Sequence, residues 1–179
     1  MKPSDAVPVI LFSGILYVRE EALEKSLRLM EKCFGPINYQ SGRVPFTATD
    51  YYVEEMGHPI QRKFISFEKL VDPSKLSDIK LKTIELETSL SLPAGRIVNL
   101  DPGYMDFNKI VLASMKYNGH KIYLERGIYA DLTLFYERGK FQPYPWSFPD
   151  FKLGLYNDIF FKIRERYKAA LKKETHFGR

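Results

Sequence analysis

Hydrophobic residues recur along this chain in two rhythms, and the changes between them mark its elements. Val9 to Val18, VILFSGILYV, is an unbroken apolar run with β-branched residues, the pattern of a central strand buried on both faces. From Arg19 the period lengthens. Ala22, Leu23, Leu27, Met30 and Phe34 line one face of a helix, with Glu20, Glu21 and Glu24 near its start and Gly35-Pro36 as its stop, as dipole and C-cap chemistry favour. Ile37 to Thr49 reads as a polar connector holding an irregular edge strand. Thr49 to Glu55, TDYYVEE, and Ile60 to Glu68, IQRKFISFE, read as a hairpin around Met56-Gly57-His58-Pro59.

Asp72 as N-cap and Pro73 at the first position predict a second helix. Its partial period runs through Leu76, Ile79, Lys80, Thr83, Ile84, Leu86, Glu87 and Leu90, and Leu92-Pro93-Ala94-Gly95 ends it. Arg96 to Leu100 then gives a short strand, Asp101-Pro102-Gly103 a tight turn, and Asp106 the start of a short helix with Phe107, Ile110, Val111 and Ser114 on one face. His120 to Leu124 and Ile128 to Tyr136 are further strands, set off by turns at Asn118-Gly119, Glu125-Arg126-Gly127 and Glu137 to Lys140. Pro143 to Pro149 is too proline-rich for a central strand and reads as an aromatic loop. Phe151 to Lys173 is helical, with Tyr156, Ile159, Phe160, Ile163 and Tyr167 as its stripe, and Thr175 to Arg179 are expected to fray. The order over Val9 to Leu100 predicts an α+β fold with a ferredoxin-like βαββαβ core. A short helix, a β-hairpin or meander and a C-terminal helix extend it, in a single domain over 1–179.

Several blocks carry a resemblance: FGPI at Phe34 to Ile37, TDYY at Thr49 to Tyr52, KFISFEKLVDP at Lys63 to Pro73, NLDPGY at Asn99 to Tyr104, KIVLAS at Lys109 to Ser114, and IYLERGIYADLTLFYERGKFQPYPW at Ile122 to Trp146. Over most of its length the chain resembles the bacterial family known as domain of unknown function 4416. The resemblance implies a bacterial context and no particular activity.

Charge and composition narrow the classes. The formal charge is +5, and from Asp150 to Arg179 eight Lys/Arg face four Asp/Glu, so the body is nearly neutral and the last helix basic. Such a helix is either a footprint for nucleic acid or another acidic partner, or a solvated face. Cys33 is the sole cysteine. No intrachain disulfide can form, and a reducing, cytoplasmic compartment is expected. No apolar run approaches the length of a membrane span, so no membrane association is expected. Phe and Tyr number 13 and 12, enough for some Tyr to reach a surface or cleft.

Candidate chemistry concentrates in four places. Asn99, Asp101 and Tyr104 at the predicted turn could bind a cation, a ribose or an amine; otherwise Asp101 bonds its own backbone. Asp50, Tyr52 and Glu54 would share one strand face and supply acid/base groups, or form the solvated side of an edge strand. Lys63, Lys109, Tyr129, Asp131 and Lys140 form the third set, because Asp131 in an apolar strand needs a partner, which Lys63 or Lys109 could be. Tyr144 and Trp146 could stack on a base or sugar, or cap the core. His58, His120 and His176 have no metal-ligand spacing, and GxxxxGK[ST], GxSxG and GxGxxG loops are absent, so neither metal nor cofactor is expected. The expected function is a binding module for an anionic ligand such as nucleotide or RNA. The alternatives are a small enzyme acting on an anionic metabolite through Asp50, Asp101, Asp131 and Lys63, and an oligomeric scaffold such as a homodimer.

Overall fold

The computed structural model describes residues 2–93 and 95–177, with side chains as far as Glu174. The chain runs β1 (Val9–Tyr17), α1 (Glu20–Phe34), β2 (Ile37–Gln40), β3 (Val44–Pro45), α2 (Val53–Met56), β4 (Gln61–Val71), α3 (Leu76–Leu90), β5 (Val98–Met105), β6 (Lys109–Ser114), β7 (Ile122–Glu125), β8 (Ile128–Glu137), β9 (Lys140–Pro143), α4 (Pro149–Lys152) and α5 (Asn157–Phe177). It is a mixed α+β fold around one sheet in the order β2-β4-β1-β5-β6-β8-β7, with β3 beside β4 and β9 beside β8. Every pairing is antiparallel.

Helices cover both faces, which explains the unbroken apolar run of β1. Ile10 and Phe12 join Phe64, Met105 and Leu134 against Phe160, Ile163 and Tyr167 of α5. The intervening Leu11, Ile15 and Tyr17 join Ile65, Phe67, Val98 and Leu100 against α1 and α3. Alternate residues of one strand thus enter two cores.

Four expectations are corrected. Thr49 to Glu55 is not a strand. The Tyr51 N–H donates to Thr49 Oγ1 at 3.1 Å, the Val53 N–H to the Asp50 carbonyl at 2.9 Å, and the Met56 N–H to the Tyr52 carbonyl at 2.8 Å. These local bonds close the backbone into a turn and the short α2, and β4 pairs with β2 and β3 instead. Asp101-Pro102-Gly103 is not a turn but lies inside β5. Asp106 does not open a helix: its Oδ1 accepts from the N–H groups of Asn108 and Lys109, at 2.7 and 2.8 Å, and the chain returns as β6. An aspartate bonding the next two or three N–H groups serves a helix start or a hairpin equally. The last helical segment is broken, because Gly154 takes φ 69° and separates α4 from α5. The fraying expected at the C-terminus concerns Gly178, Arg179 and the side chains of Thr175 to Phe177, which lie outside the described residues, as does Ala94.

Gly103 is needed for close approach. A Cβ there would stand 2.5 Å from the Val111 carbonyl oxygen and 2.9 Å from both Leu112 and Phe12 side-chain carbons. Gly103→Ala is expected to lower stability in urea unfolding by about 2–3 kcal/mol. Gly119→Ala, which meets nothing within 4 Å, is expected to change it by less than about 0.5 kcal/mol.

Candidate functional site

The close contact at Gly103 is also where the sheet divides. β5 and β6 pair over Gly103↔Leu112, Tyr104↔Val111 and Met105↔Ile110. β5 and β1, by contrast, stay paired down to Val98↔Tyr17. Before Gly103 the β6 side of β5 has therefore lost its strand neighbour, and α3 supplies substitutes. The Leu100 N–H donates to Glu87 Oε1 at 2.6 Å, and the Leu100 carbonyl accepts from Lys80 Nζ at 2.9 Å. By alternation the nitrogen of Pro102 faces the same side, where a missing N–H costs no ladder bond. The parting opens a crevice of about 440 Å³ that Arg62 and Phe64 line from the α5 face and Lys80 from the α3 face.

On the β5 wall, Asn99 Nδ2 donates to Asp101 Oδ2 at 2.8 Å, and Asn99 Oδ1 accepts from Arg96 Nη1 at 3.1 Å. Arg96 grips Glu55 with two bonds of 2.9 and 2.8 Å, holding the Glu55 carboxyl below the usual carboxylate range. Asp101 has two further cations nearby, Lys80 Nζ at 3.8 Å from Oδ1 and Arg62 Nη2 at 4.0 Å from Oδ2. Arg62 is buried against Phe46, 4.4 Å from its ring centre, and is bound by Asp150. The Tyr156 hydroxyl also donates to Asp150 Oδ2 at 2.8 Å.

The opposite wall is built on Asp131, buried in β8. Lys121 Nζ approaches its Oδ2 at 3.1 Å and His120 Nε2 its Oδ1 at 3.5 Å. Lys121 also donates to Ser114 Oγ at 2.8 Å. His120 stacks on Trp146, which stacks on Tyr144, each pair with centroids 5.0 Å apart. Over the mouth, Lys116 Nζ lies 3.9 Å from the centre of the Tyr51 ring, so segments from the two walls meet there. Burial first, then the charge of Asp101, pushes the Tyr52 hydroxyl well above the ordinary tyrosine value and keeps it protonated. Burial likewise raises the Glu87 carboxyl, against the opposing pull of Lys80, the Leu100 N–H and Arg96.

Of the residues singled out from sequence, Tyr52, Asn99, Asp101 and Asp131 line this crevice. Asp50 lines a smaller neighbouring cavity of about 160 Å³ with His58. Lys63 points elsewhere, its Nζ donating to the Ser41 carbonyl at 2.7 Å, and Lys109 pairs with Asp106. Contrary to the expectation from sequence, neither partners Asp131; Lys121 and His120 do. Tyr104 packs with Leu76 and Val111, Tyr129 rings contact Tyr117 and Tyr123, and exposed Lys140 begins β9. Trp146 caps the His120 side, its Nε1–H donating to the Leu132 carbonyl at 2.8 Å.

Sequence reasoning missed Arg62, Lys80, Arg96, Lys121 and Asp150 as site residues. A signal existed for Lys80 and Glu87: both fall within the apolar stripe of α3, and each is 4% exposed. Charges there require partners.

The Arg62–Asp150 pair ties α4 to the sheet. Asp150→Ala is expected to cost about 3–5 kcal/mol in denaturant unfolding, since it leaves a buried guanidinium uncompensated. Combining it with Arg62→Met is expected to restore most of that loss, as a double-mutant cycle would register.

Among the described residues, no group of three or more His, Cys, Asp or Glu could hold a metal ion, and no helix is long and apolar enough to cross a membrane. No curated protein and no solved structure matches the chain. A family model does match, over residues 7–167, and the chain belongs to that family, described as Domain of unknown function (DUF4416).

Proposed function

We propose that the protein binds a small anionic ligand, of nucleotide or sugar-phosphate size, in the crevice between β5 and β6. The observation that carries this reading is the cavity itself. Its 440 Å³ is lined by Arg62, Lys80, Arg96, Lys116 and Lys121 against Asp101, Asp131 and Asp150, with Phe46, Tyr51, Tyr52 and Phe148 as apolar surface. Small-molecule sites combine this range of volume with aromatic walls and a few placed polar groups. An RNA strand on the basic last helix has less support. Arg166 donates to the Asn38 carbonyl at 3.0 Å and covers the Tyr39 ring, while the Arg164 guanidinium lies 3.8 Å from the centre of the Tyr136 ring. Those cations serve packing.

A second reading, catalysis on the same ligand, is favoured by Asp101 and Asp131 facing one cavity. Within the fold, we read β1, α1, β2, β4, α3 and β5 as a ferredoxin-like unit, supported by the sheet order β2-β4-β1-β5 and by both helices lying on one face. A reducing, cytoplasmic setting is supported by the single, exposed Cys33.

Pyrophosphate tests the binding reading. Calorimetry is expected to give saturable one-to-one binding that weakens with salt and falls about tenfold in Lys116→Ala. Loss of binding on neutralising Lys162 and Arg166 instead, with Lys116→Ala unchanged, would move the site to α5. Absence of saturable binding would sink the proposal.

A further inference from the structure

The three carboxylates of the crevice are not equivalent. Asp150 is satisfied by Arg62, by the Tyr156 hydroxyl and by the Phe151 N–H at 3.1 Å. Asp131 has Lys121 on one oxygen and His120 on the other, and its side chain is 6% exposed. Asp101 is 30% exposed, and its Oδ2 is held by Asn99. Among the described residues, its Oδ1 accepts no hydrogen bond. Asn99 has no freedom to move to it, because its own Oδ1 is held by Arg96. One carboxylate oxygen is thus kept open on the wall of the cavity.

The neighbouring cations define what can fill that opening. Lys80 Nζ and Arg62 Nη2 stand 3.8 and 4.0 Å from the two oxygens of Asp101, too far for direct hydrogen bonds. A ligand atom on Oδ1 must donate to Asp101 with the Lys80 ammonium close by. An ionised phosphate oxygen has no proton to donate and meets a like charge. An ammonium can donate, yet it meets Lys80 and Arg62. A hydroxyl does both, giving its proton to the carboxylate and accepting from the cation. The Tyr52 hydroxyl, kept protonated beside Asp101, adds a donor to the same wall. Lys116, whose ammonium has only the Tyr51 ring as partner among the described residues, suits the anionic end of the ligand at the mouth.

We infer that Asp101 reads a ligand hydroxyl deep in the crevice, so that the ligand class is a phosphorylated polyol, such as a sugar phosphate or the ribose-phosphate part of a ribonucleotide. Asn99 is the positioning residue that leaves Oδ1 available. The inference rests on the crevice being the anion site.

Calorimetry with two phosphate monoesters of similar reach, ribose 5-phosphate and n-butyl phosphate, separates the two levels. The hydroxylated ester is expected to bind about tenfold more tightly or better, the scale of a hydrogen bond to a charged acceptor. Asp101→Asn is expected to lower that ratio several-fold, because the neutral amide no longer offers the hydroxyl a charged acceptor. Equal affinities in the wild-type protein would overturn the inference and leave the anion site standing. Binding of neither ester would overturn both. Should Asp101→Asn fail to fold, the Asp101 carboxyl carbon resonance of the wild-type protein gives a second test. It should move with ribose 5-phosphate and not with n-butyl phosphate, and a stationary resonance under saturating ribose 5-phosphate would count against the assignment.

Discussion

The rest of the structure depends on how Leu100 keeps its backbone bonded after β6 has left. A buried N–H or C=O without a partner costs about 1–3 kcal/mol, and Leu100 is fully buried. A neighbouring strand would normally answer both groups. Here Glu87 and Lys80, seven positions apart on α3, answer one each. Spacing by nearly two helical turns puts both on the same helix face, so a single straight element can stand in for a short length of strand. The substitution lets β5 remain ordered at a sheet edge inside the protein, and an ordered edge with no strand beside it is a crevice.

This solution places charges where neutral groups would otherwise be. Taking an ion out of water costs several kcal/mol, whereas a pair about 4 Å apart recovers on the order of 4 kcal/mol near a protein surface. Lys80 therefore needs an acid within reach, and Asp101 is 3.8 Å away. Arg62, buried from the other side, needs another, and Asp150 supplies it. Asp150 belongs to α4, directly after the Pro143 to Pro149 loop, so the same ion pair fixes how that loop closes the α5 side. The network Glu55–Arg96–Asn99–Asp101 extends the chain of dependence to the segment around α2. Structural necessity thus draws polar groups from α2, α3, α4, β4 and β5 to one point. The site is a by-product of satisfying the parted sheet.

Much of the architecture was legible in the chain. β1, α1, β4, α3 and the α5 stripe followed from periodicity, because each element faces one core or alternates between two. Two of the failures share one cause. Asp101-Pro102-Gly103 and Asp106 carry local chemistry that specifies a turn or a cap, and the long-range pairing decides otherwise: Pro102 is tolerated in mid-strand only because its nitrogen faces the gap, and Gly103 because Val111 and Leu112 press against it. β6 is buried on both faces, so Ile110, Val111, Leu112 and Ala113 show no strand alternation to oppose a helical reading. Asp131 is recognisable from the sequence as a misplaced charge in an apolar strand, whereas Asp101 is singled out there only as part of a turn. Their partners are not, because Arg62 comes from β4, Lys80 from α3, and His120 and Lys121 from the segment before β7, and which of them meet is a matter of topology.

The balance of charge in the crevice argues for its selectivity. A cavity with unpaired cations would take any anion, with affinity set largely by salt. Here Arg96 is neutralised by Glu55, Arg62 by Asp150 and Lys121 by Asp131, which leaves Lys80 and Lys116 as the less fully compensated cations. Asp101 lies beside the first of these and would repel an anion brought against it. Attraction at the mouth and a carboxylate in depth would reward a ligand whose charge and hydrogen-bond donors are at opposite ends. Discrimination then comes from the polar group left unpaired by the wrong ligand, the arrangement in which one hydrogen bond gives the largest preference.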